Sequence, residues 1–309
     1  MTRPVLVAGP TASGKSAVAL ALARKLGGAI INADSQQIFR EWRILSARPS
    51  PAEEALAPHF LYGHVAMSRP YSVGDWLSDM SMAKADCAVN GLRPIIVGGT
   101  GLYFKALTEG LASIPPIPAD VRKAAEAMLA EHGIAKLAGD LAERDPGTAA
   151  ATDLANPVRV LRAWEVLAAT GTGLKAWQER TGPALIPPEG AERFVLTPDR
   201  DWLYARCDAR LDRMIEAGAL DEVRKVMARG IDPALPGMKA VGAPELMAHL
   251  RGEMTLEDAI EAAKIQTRRY AKRQLTWARN QMAQWTILAE TDPAALAARA
   301  LKDLTNNGQ

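Results

Sequence analysis

Cysteine is scarce: 309 residues carry only Cys87 and Cys207, far apart in sequence. Two buried free thiols in a reducing compartment are the simpler expectation than a disulfide framework. No Cys/His cluster has zinc-site spacing. No run of ~18 apolar residues occurs, so no segment is expected to span a membrane. Strong charge of one sign is missing too. The 37 Lys and Arg against 35 Asp and Glu leave +2, so a nucleic-acid partner has to be met by a local basic patch. No leader pattern precedes the first strand signal, and a cytoplasmic protein is expected. No internal repeat is visible, and the length suggests roughly two domains of ~150 residues each.

The most informative stretch is Gly9-Pro10-Thr11-Ala12-Ser13-Gly14-Lys15-Ser16. It fits the phosphate-loop spacing G-x-x-x-x-G-K-[ST], in which glycines let the backbone curl and a lysine adds a full positive charge. The apolar run Val5-Leu6-Val7 precedes it, and the helix-forming run Ala17-Val18-Ala19-Leu20-Ala21-Leu22-Ala23 follows. Strand, loop and helix together aim backbone N–H groups and a helix N-terminus at one anion. The Ser16 hydroxyl is the candidate ligand for Mg²⁺. The motif does not say whose phosphates it holds.

Strand and helix signals alternate over the first ~110 residues, which predicts a parallel α/β sheet. Strands are expected at 5–8, 29–32 and 93–97, with helices at 16–26 and about 73–89. The prolines at 115, 116 and 118 read as a linker. Beyond it, 120–132 and 156–170 look helical with no strand between. A second break lies near Pro187-Pro188, 193–197 reads as a returning strand, and helices are expected at 201–217 and 220–229. Thr255 with Asp258 predicts the start of a helix reaching about 280. The expected fold is a phosphate-loop NTPase-like parallel sheet flanked by helices. The core is discontinuous, residues 1–112 with 199–309, and 113–198 form a helical insertion domain.

In such a sheet, ligands bind where the loops leave the carboxyl ends of the strands. Three of these ends are readable: 9–16, 34–37 and 98–101. They suggest that Lys15, Asp34 and Thr100 face one cavity. Asp34 there suits a general base or a metal ligand, against the simpler role of a turn carboxylate. Gly98-Gly99-Thr100-Gly101 suits close backbone approach to a ligand, or merely a turn. Arg206, Arg210 and Arg213 share one helical stripe, which is either a solvated face or a pyrophosphate clamp. The cation-rich run 268–279 either forms surface salt bridges or tracks a phosphate backbone. No strand ends in a Walker-B-type aspartate followed by a kinase-like lid.

Together these stretches resemble the bacterial tRNA dimethylallyltransferase family, also called tRNA isopentenyltransferases. The resemblance spans almost the whole chain. Besides the phosphate loop it rests on Asp34-Ser35-Gln36-Gln37, Gly98-Gly99-Thr100-Gly101-Leu102-Tyr103 and Asn156-Pro157-Val158-Arg159-Val160-Leu161-Arg162-Ala163. Met238-Lys239-Ala240-Val241-Gly242, and Thr267-Arg268 leading to Lys272-Arg273-Gln274-Leu275-Thr276-Trp277, complete it. It implies transfer of a dimethylallyl group from dimethylallyl diphosphate to N6 of the adenosine 3′ of the anticodon. The phosphate loop would then hold diphosphate rather than ATP.

By that resemblance Asp34 is the base, Lys15 and Arg210 stabilise the departing diphosphate with Mg²⁺ near Ser16, and Thr100 lies beside both reactants. The tRNA anticodon stem-loop would meet Asp34, Ser35, Gln36, Gln37, Thr100 and Arg122, together with Val158, Arg159, Val160, Leu161 and Arg162. It would also meet Lys239, Ala240, Val241, Gly242, Ala243 and Pro244, and the run Lys272-Arg273-Gln274-Leu275-Thr276-Trp277-Ala278-Arg279. A monomer is expected. Val158, Ala243-Pro244 and Ala278 depart from the family's usual residues, and the sequence shows no zinc-finger extension of the kind eukaryotic members carry. A nucleotide or small-molecule kinase, which needs ATP and no RNA, and a non-catalytic RNA-binding module, which turns nothing over, are the rival readings.

Overall fold

The alternating pattern builds β1 (Val5–Ala8), α1 (Lys15–Leu26), β2 (Gly28–Asn32), α2 (Pro51–Glu54), β3 (His59–Phe60), α3 (Val73–Val89), β4 (Arg93–Gly98) and α4 (Gly101–Glu109). Four helices follow: α5 (Ala119–Arg144), α6 (Pro146–Ala151), α7 (Pro157–Thr170) and α8 (Leu174–Gln178). The chain then forms β5 (Glu192–Leu196), α9 (Arg200–Glu216), α10 (Ala219–Met227), α11 (Ala243–Leu250), α12 (Leu256–Gln281), β6 (Thr286–Leu288) and α13 (Pro293–Asn306). This computed structural model describes residues 3–306. It divides into one unit reaching Thr108 and resuming at Leu185, and a second unit, Glu109–Ala184.

Six strands pair in the order β3-β2-β4-β1-β5-β6, every pair parallel. The first unit is thus the expected α/β sheet flanked by helices. Strand residues alternate between its two faces, as the pleat requires. Leu6, Ala8, Ile31 and Ile96 pack with Trp76 and Met80 of α3 and Phe104 of α4. Val5, Val7, Ile30, Ile95 and Val97 pack with Val18 and Leu22 of α1 and Leu296 of α13. Both faces are therefore dry, which explains near-continuous apolar strands. A separate core joins Ile38, Trp42 and Met67 to Leu211, Val223, Leu246 and Ala259, from α9 to α12.

Two strands were not expected, β3 and β6. At two and three residues they fall below the length at which a strand pattern can be read. Residues 192–196, placed by the sequence in the insertion, form β5 and pair with β1 from Val5↔Glu192 to Ala8↔Val195. The prolines near 115 and 187 mark turns in the chain, and packing changes hands at a different place.

The second unit is helical. Leu137, Val160 and Trp164 form one buried cluster, and Leu141, Ala163 and Leu167 another. Helix α5 is broken at Gly133 (φ 73°, ψ 176°), directly after the expected helix end at 132. Asn156 caps α7 by accepting from the N–H groups of Val158 and Arg159, with Pro157 in its first turn.

Candidate active site

All strands being parallel, the loops after β1, β2 and β4 emerge at one edge of the sheet. The phosphate loop leaves β1 and enters α1 through Gly14, whose φ of 96° a residue with a Cβ rarely adopts. No side chain caps α1, so its first N–H groups are open to an anion. Ala12 is also left-handed (φ 63°), a conformation that costs an alanine about 1 kcal/mol. Contacts from outside hold it there. Arg206 Nε donates to the Ala12 carbonyl at 3.0 Å, and Arg210 Nη2 donates to the Thr11 hydroxyl.

Lys15 is buried, and its Nζ donates to the Pro10 carbonyl at 3.2 Å. Burial pushes its pKa down to about 8; the Asp34 carboxylate opposes that shift and Arg210 reinforces it. Lys15, Arg210 and Asp34 thus share one electrostatic neighbourhood. Ser16 is exposed, and the buried Ser13 hydroxyl has no hydrogen-bond partner.

Asp34 is buried just past β2. Its Oδ1 accepts from the Gln36 N–H at 3.0 Å, and its own N–H donates to Asn32 Oδ1 at 2.9 Å. Asn32 Nδ2 holds the Asp34 and Leu61 carbonyls, so a buried asparagine closing an apolar strand fixes the turn that presents Asp34. Thr100 Oγ1 accepts from the Ser35 N–H at 2.9 Å and donates to Ser35 Oγ at 3.1 Å, tying the loop after β4 to the loop after β2. Tyr270 of α12 shares a hydrogen bond with Thr100, and burial raises its phenol pKa.

A cleft of about 450 Å³, open to solvent, is walled by Thr11, Asp34, Gln36 and Ser46 and by Arg210, Thr267, Tyr270 and Cys207. Leu45, Leu211, Met214 and Val241 add an apolar side. Asp34 and Arg210 therefore face one space, which Lys15 and Thr100 do not line. Arg213, a turn further along α9, is exposed. The Val241 N–H donates to Gln36 Oε1 at 3.1 Å, which brings 239–244 to the loop after β2. Tyr270, Cys207, Leu45 and Ser46 are cleft residues to which the sequence reading assigns no site role, and Thr267 enters it only as part of a family-like stretch. Tyr270 alone of the first four has a signal, its place in the basic, aromatic run.

The residues expected to meet RNA divide by burial. In the second unit, Val158, Arg159 and Arg162 are exposed while Val160 is buried. Arg122 and Arg162 flank the buried Glu165 at 3.8 and 3.9 Å. In the first unit, Lys239 and Pro244 are exposed and Ala240, Gly242 and Ala243 buried. On α12, Lys272, Arg273, Thr276 and Arg279 are exposed, but Gln274, Leu275 and Ala278 are buried. Burial withholds Val160, Gln274, Leu275 and Ala278 from a surface contact.

A model of the IPP transferase family matches residues 37–281, and one of the isopentenyl transferase family matches residues 3–58. A tRNA dimethylallyltransferase of Cereibacter sphaeroides is 57% identical over 283 residues, which cover 92% of this chain and 88% of that one. A crystal structure of the full-length tRNA isopentenylpyrophosphate transferase from Bacillus halodurans matches over 100% of both chains, at 32% identity and a TM-score of 0.68. A eukaryotic dimethylallyltransferase acting on tRNA matches at a TM-score of 0.84 and 25% identity, over 99% of this chain and 80% of that one.

Proposed function

Because the chain belongs to the IPP transferase family, we propose that it transfers a dimethylallyl group from dimethylallyl diphosphate to N6 of the adenosine 3′-adjacent to the anticodon in tRNA. The observation that carries this reading is the cleft in which Asp34 faces Arg210, which itself grips Thr11 of the phosphate loop. A base and an anion clamp share one space.

The adenine amine is a weak nucleophile, because its lone pair is delocalised into the ring. Asp34 accepts a hydrogen bond from N6–H and then takes the proton as the N6–C1 bond forms. The C1–O bond breaks, and its electron pair leaves with the diphosphate. Lys15, Arg210 and the open N–H groups of the loop stabilise that charge. The apolar side of the cleft, from Leu45 to Met214, suits the five-carbon group. Thr100 and Ser35 hold the loop on which the base is received. To reach Asp34 the base leaves the anticodon stack, which costs a few kcal/mol.

Among the described residues no group of three His, Cys, Asp or Glu could hold a metal ion. A divalent cation, Mg²⁺ in this reading, would be held by the exposed Ser16 hydroxyl together with diphosphate oxygens. It would neutralise part of the departing charge. In the first unit the exposed cations of α12 meet the tRNA, and in the second unit the exposed cations of α7 are RNA contacts of their own. A monomer is part of this proposal. No helix among the described residues is long and apolar enough to cross a membrane, and cytoplasmic tRNA is the proposed substrate.

Incubation with radiolabelled dimethylallyl diphosphate and unmodified tRNA tests the proposal. Label is expected on the nucleoside 3′ of the anticodon, with release of diphosphate. Label-free tRNA, or ATP turnover without RNA, would overturn it.

A further inference from the structure

Gln274 sits on α12 between exposed cations, yet its own side chain is buried. Its Oε1 accepts from the Thr11 N–H at 2.8 Å, and its Nε2 donates to the Gly99 carbonyl at 2.9 Å. The partners fix which end of the amide is which, because a backbone N–H can only donate and a carbonyl can only accept. A Cβ on Gly99 would lie 2.1 Å from Nε2, so the amide fills the place that glycine leaves open. One side chain thereby bonds the loop after β1 to the loop after β4.

These loops carry opposite halves of the reaction proposed above, and the inference rests on that reading. Thr11, with Arg210, stands at the diphosphate end. Gly99 precedes Thr100, which is tied to Ser35 beside Asp34. The distance from leaving group to accepting amine depends on how far apart the two loops stand. We propose that Gln274 is a positioning residue that sets this separation, and that it makes no contact with RNA despite its place in the basic run. A misplacement of about 1 Å in a reacting pair can cost ~10² in rate.

The chemistry of the staple supplies a test that a merely structural residue would not pass. Gln274→Met keeps the length and removes both hydrogen bonds. Gln274→Glu keeps the acceptor for Thr11 but, when ionised, turns a second oxygen toward the Gly99 carbonyl. Protonated, the acid restores an acceptor and a donor side by side. The experiment compares kcat and KM of wild type and both variants from pH 6 to 8, with tRNA affinity by filter binding and inorganic diphosphate affinity by calorimetry.

For Gln274→Met we expect kcat down by about 10² at every pH, with tRNA affinity unchanged within twofold. For Gln274→Glu, the deficit relative to wild type shrinks at least severalfold as pH falls from 8 to 6. A Gln274→Met enzyme with wild-type kcat overturns the proposal. So does a Gln274→Glu deficit equal at both pH values, or a loss confined to tRNA affinity. If Gln274→Met does not fold, the two pH values compared within folded Gln274→Glu still decide. Absence of transfer by the wild type strikes the functional reading instead. In that case inorganic diphosphate affinity judges the staple, which is expected to bind more weakly in Gln274→Glu at pH 8 than at pH 6, relative to wild type. Equal affinities overturn it.

Discussion

Helices α9 and α12 are both basic and packed against each other, but their cations go in opposite directions. On α9, Arg206 and Arg210 turn inward and end on Ala12 and Thr11 of the phosphate loop. On α12, Lys272, Arg273 and Arg279 remain exposed and form no ion pair among the described residues. Between the two sets, Arg268–Asp208 at 2.5 Å and Lys264–Asp212 at 2.8 Å join the helices. A stripe of cations at helical spacing thus has three destinations in one helix pair: a clamp, a seam and an open face. The destination depends on whether acceptors close over the stripe. Arg213 lies on the clamp's own stripe yet is exposed, because the phosphate loop does not reach that turn.

If the inner set serves the chemistry and the outer set serves RNA, the two sets respond to substitution in different quantities. The sharpest separation is expected at Asp34, the anion that both Lys15 and Arg210 feel. Asp34→Ala is expected to lower kcat by ~10²–10⁴, with tRNA affinity changed less than threefold. Single-turnover transfer alongside filter binding measures both. An equal fall in RNA affinity would erase the distinction between the sets.

Arg210 comes next. Arg210→Ala is expected to cost ~10² in kcat, on the scale of losing one oriented donor to developing charge, and to weaken diphosphate binding. Arg210→Lys should recover little, because a point charge cannot grip the Thr11 hydroxyl and an anion together with the planar fork's geometry. Full recovery by lysine would reduce the clamp to simple charge. Calorimetry with inorganic diphosphate separates binding from turnover.

The inner set was partly legible because its signals are local. Gly9, Gly14 and Lys15 fix a loop by spacing, and Arg206 and Arg210 share a stripe by periodicity. The walls of the cleft were not legible. Leu45 and Ser46 reach it only because Glu222 of α10 accepts the N–H groups of Arg43, Ile44 and Leu45 at 2.8, 2.9 and 2.9 Å. Nothing within 43–46 announces a partner nearly 180 residues away. The outer set was overread for a different reason. A contiguous motif on a helix carries inward positions every three or four residues, so Val160, Gln274 and Ala278 were grouped with neighbours that point outward. The short strands β3 and β6 depend on pairing partners that no short window contains.

Lys15 sharpens the inner set through pH. Its pKa in the free protein is pushed down to about 8, below the ordinary lysine value, mainly by burial. The ammonium is therefore lost as pH rises through about 8, well before an exposed lysine would lose it. A bound diphosphate favours the charged form, so binding above that pH takes up a proton. Affinity should fall with rising pH, approaching about tenfold per unit above pH 8. Calorimetry at pH 8.5 in buffers of different ionisation enthalpy measures the uptake. No dependence on buffer would mean that Lys15 is already charged in the free enzyme.

The outer set is expected to give the smallest effect per residue. Removing Lys272, Arg273 and Arg279 singly should weaken tRNA binding only a fewfold each. Each should lower the slope of log affinity against log salt by ~1 for every RNA phosphate it neutralises. The affinity for inorganic diphosphate should not move, because none of these side chains lines the cleft. Arg273 is the most informative of the three. Its guanidinium lies 5.6 Å from the ring centre of Tyr270, whose hydroxyl end reaches Thr100 inside the site. If the open face and the clamp are independent, Arg273→Ala changes only RNA affinity and its salt slope. A drop in kcat at saturating tRNA would instead show that the face is read through Tyr270, and the division between inner and outer cations would have to move by one turn of α12.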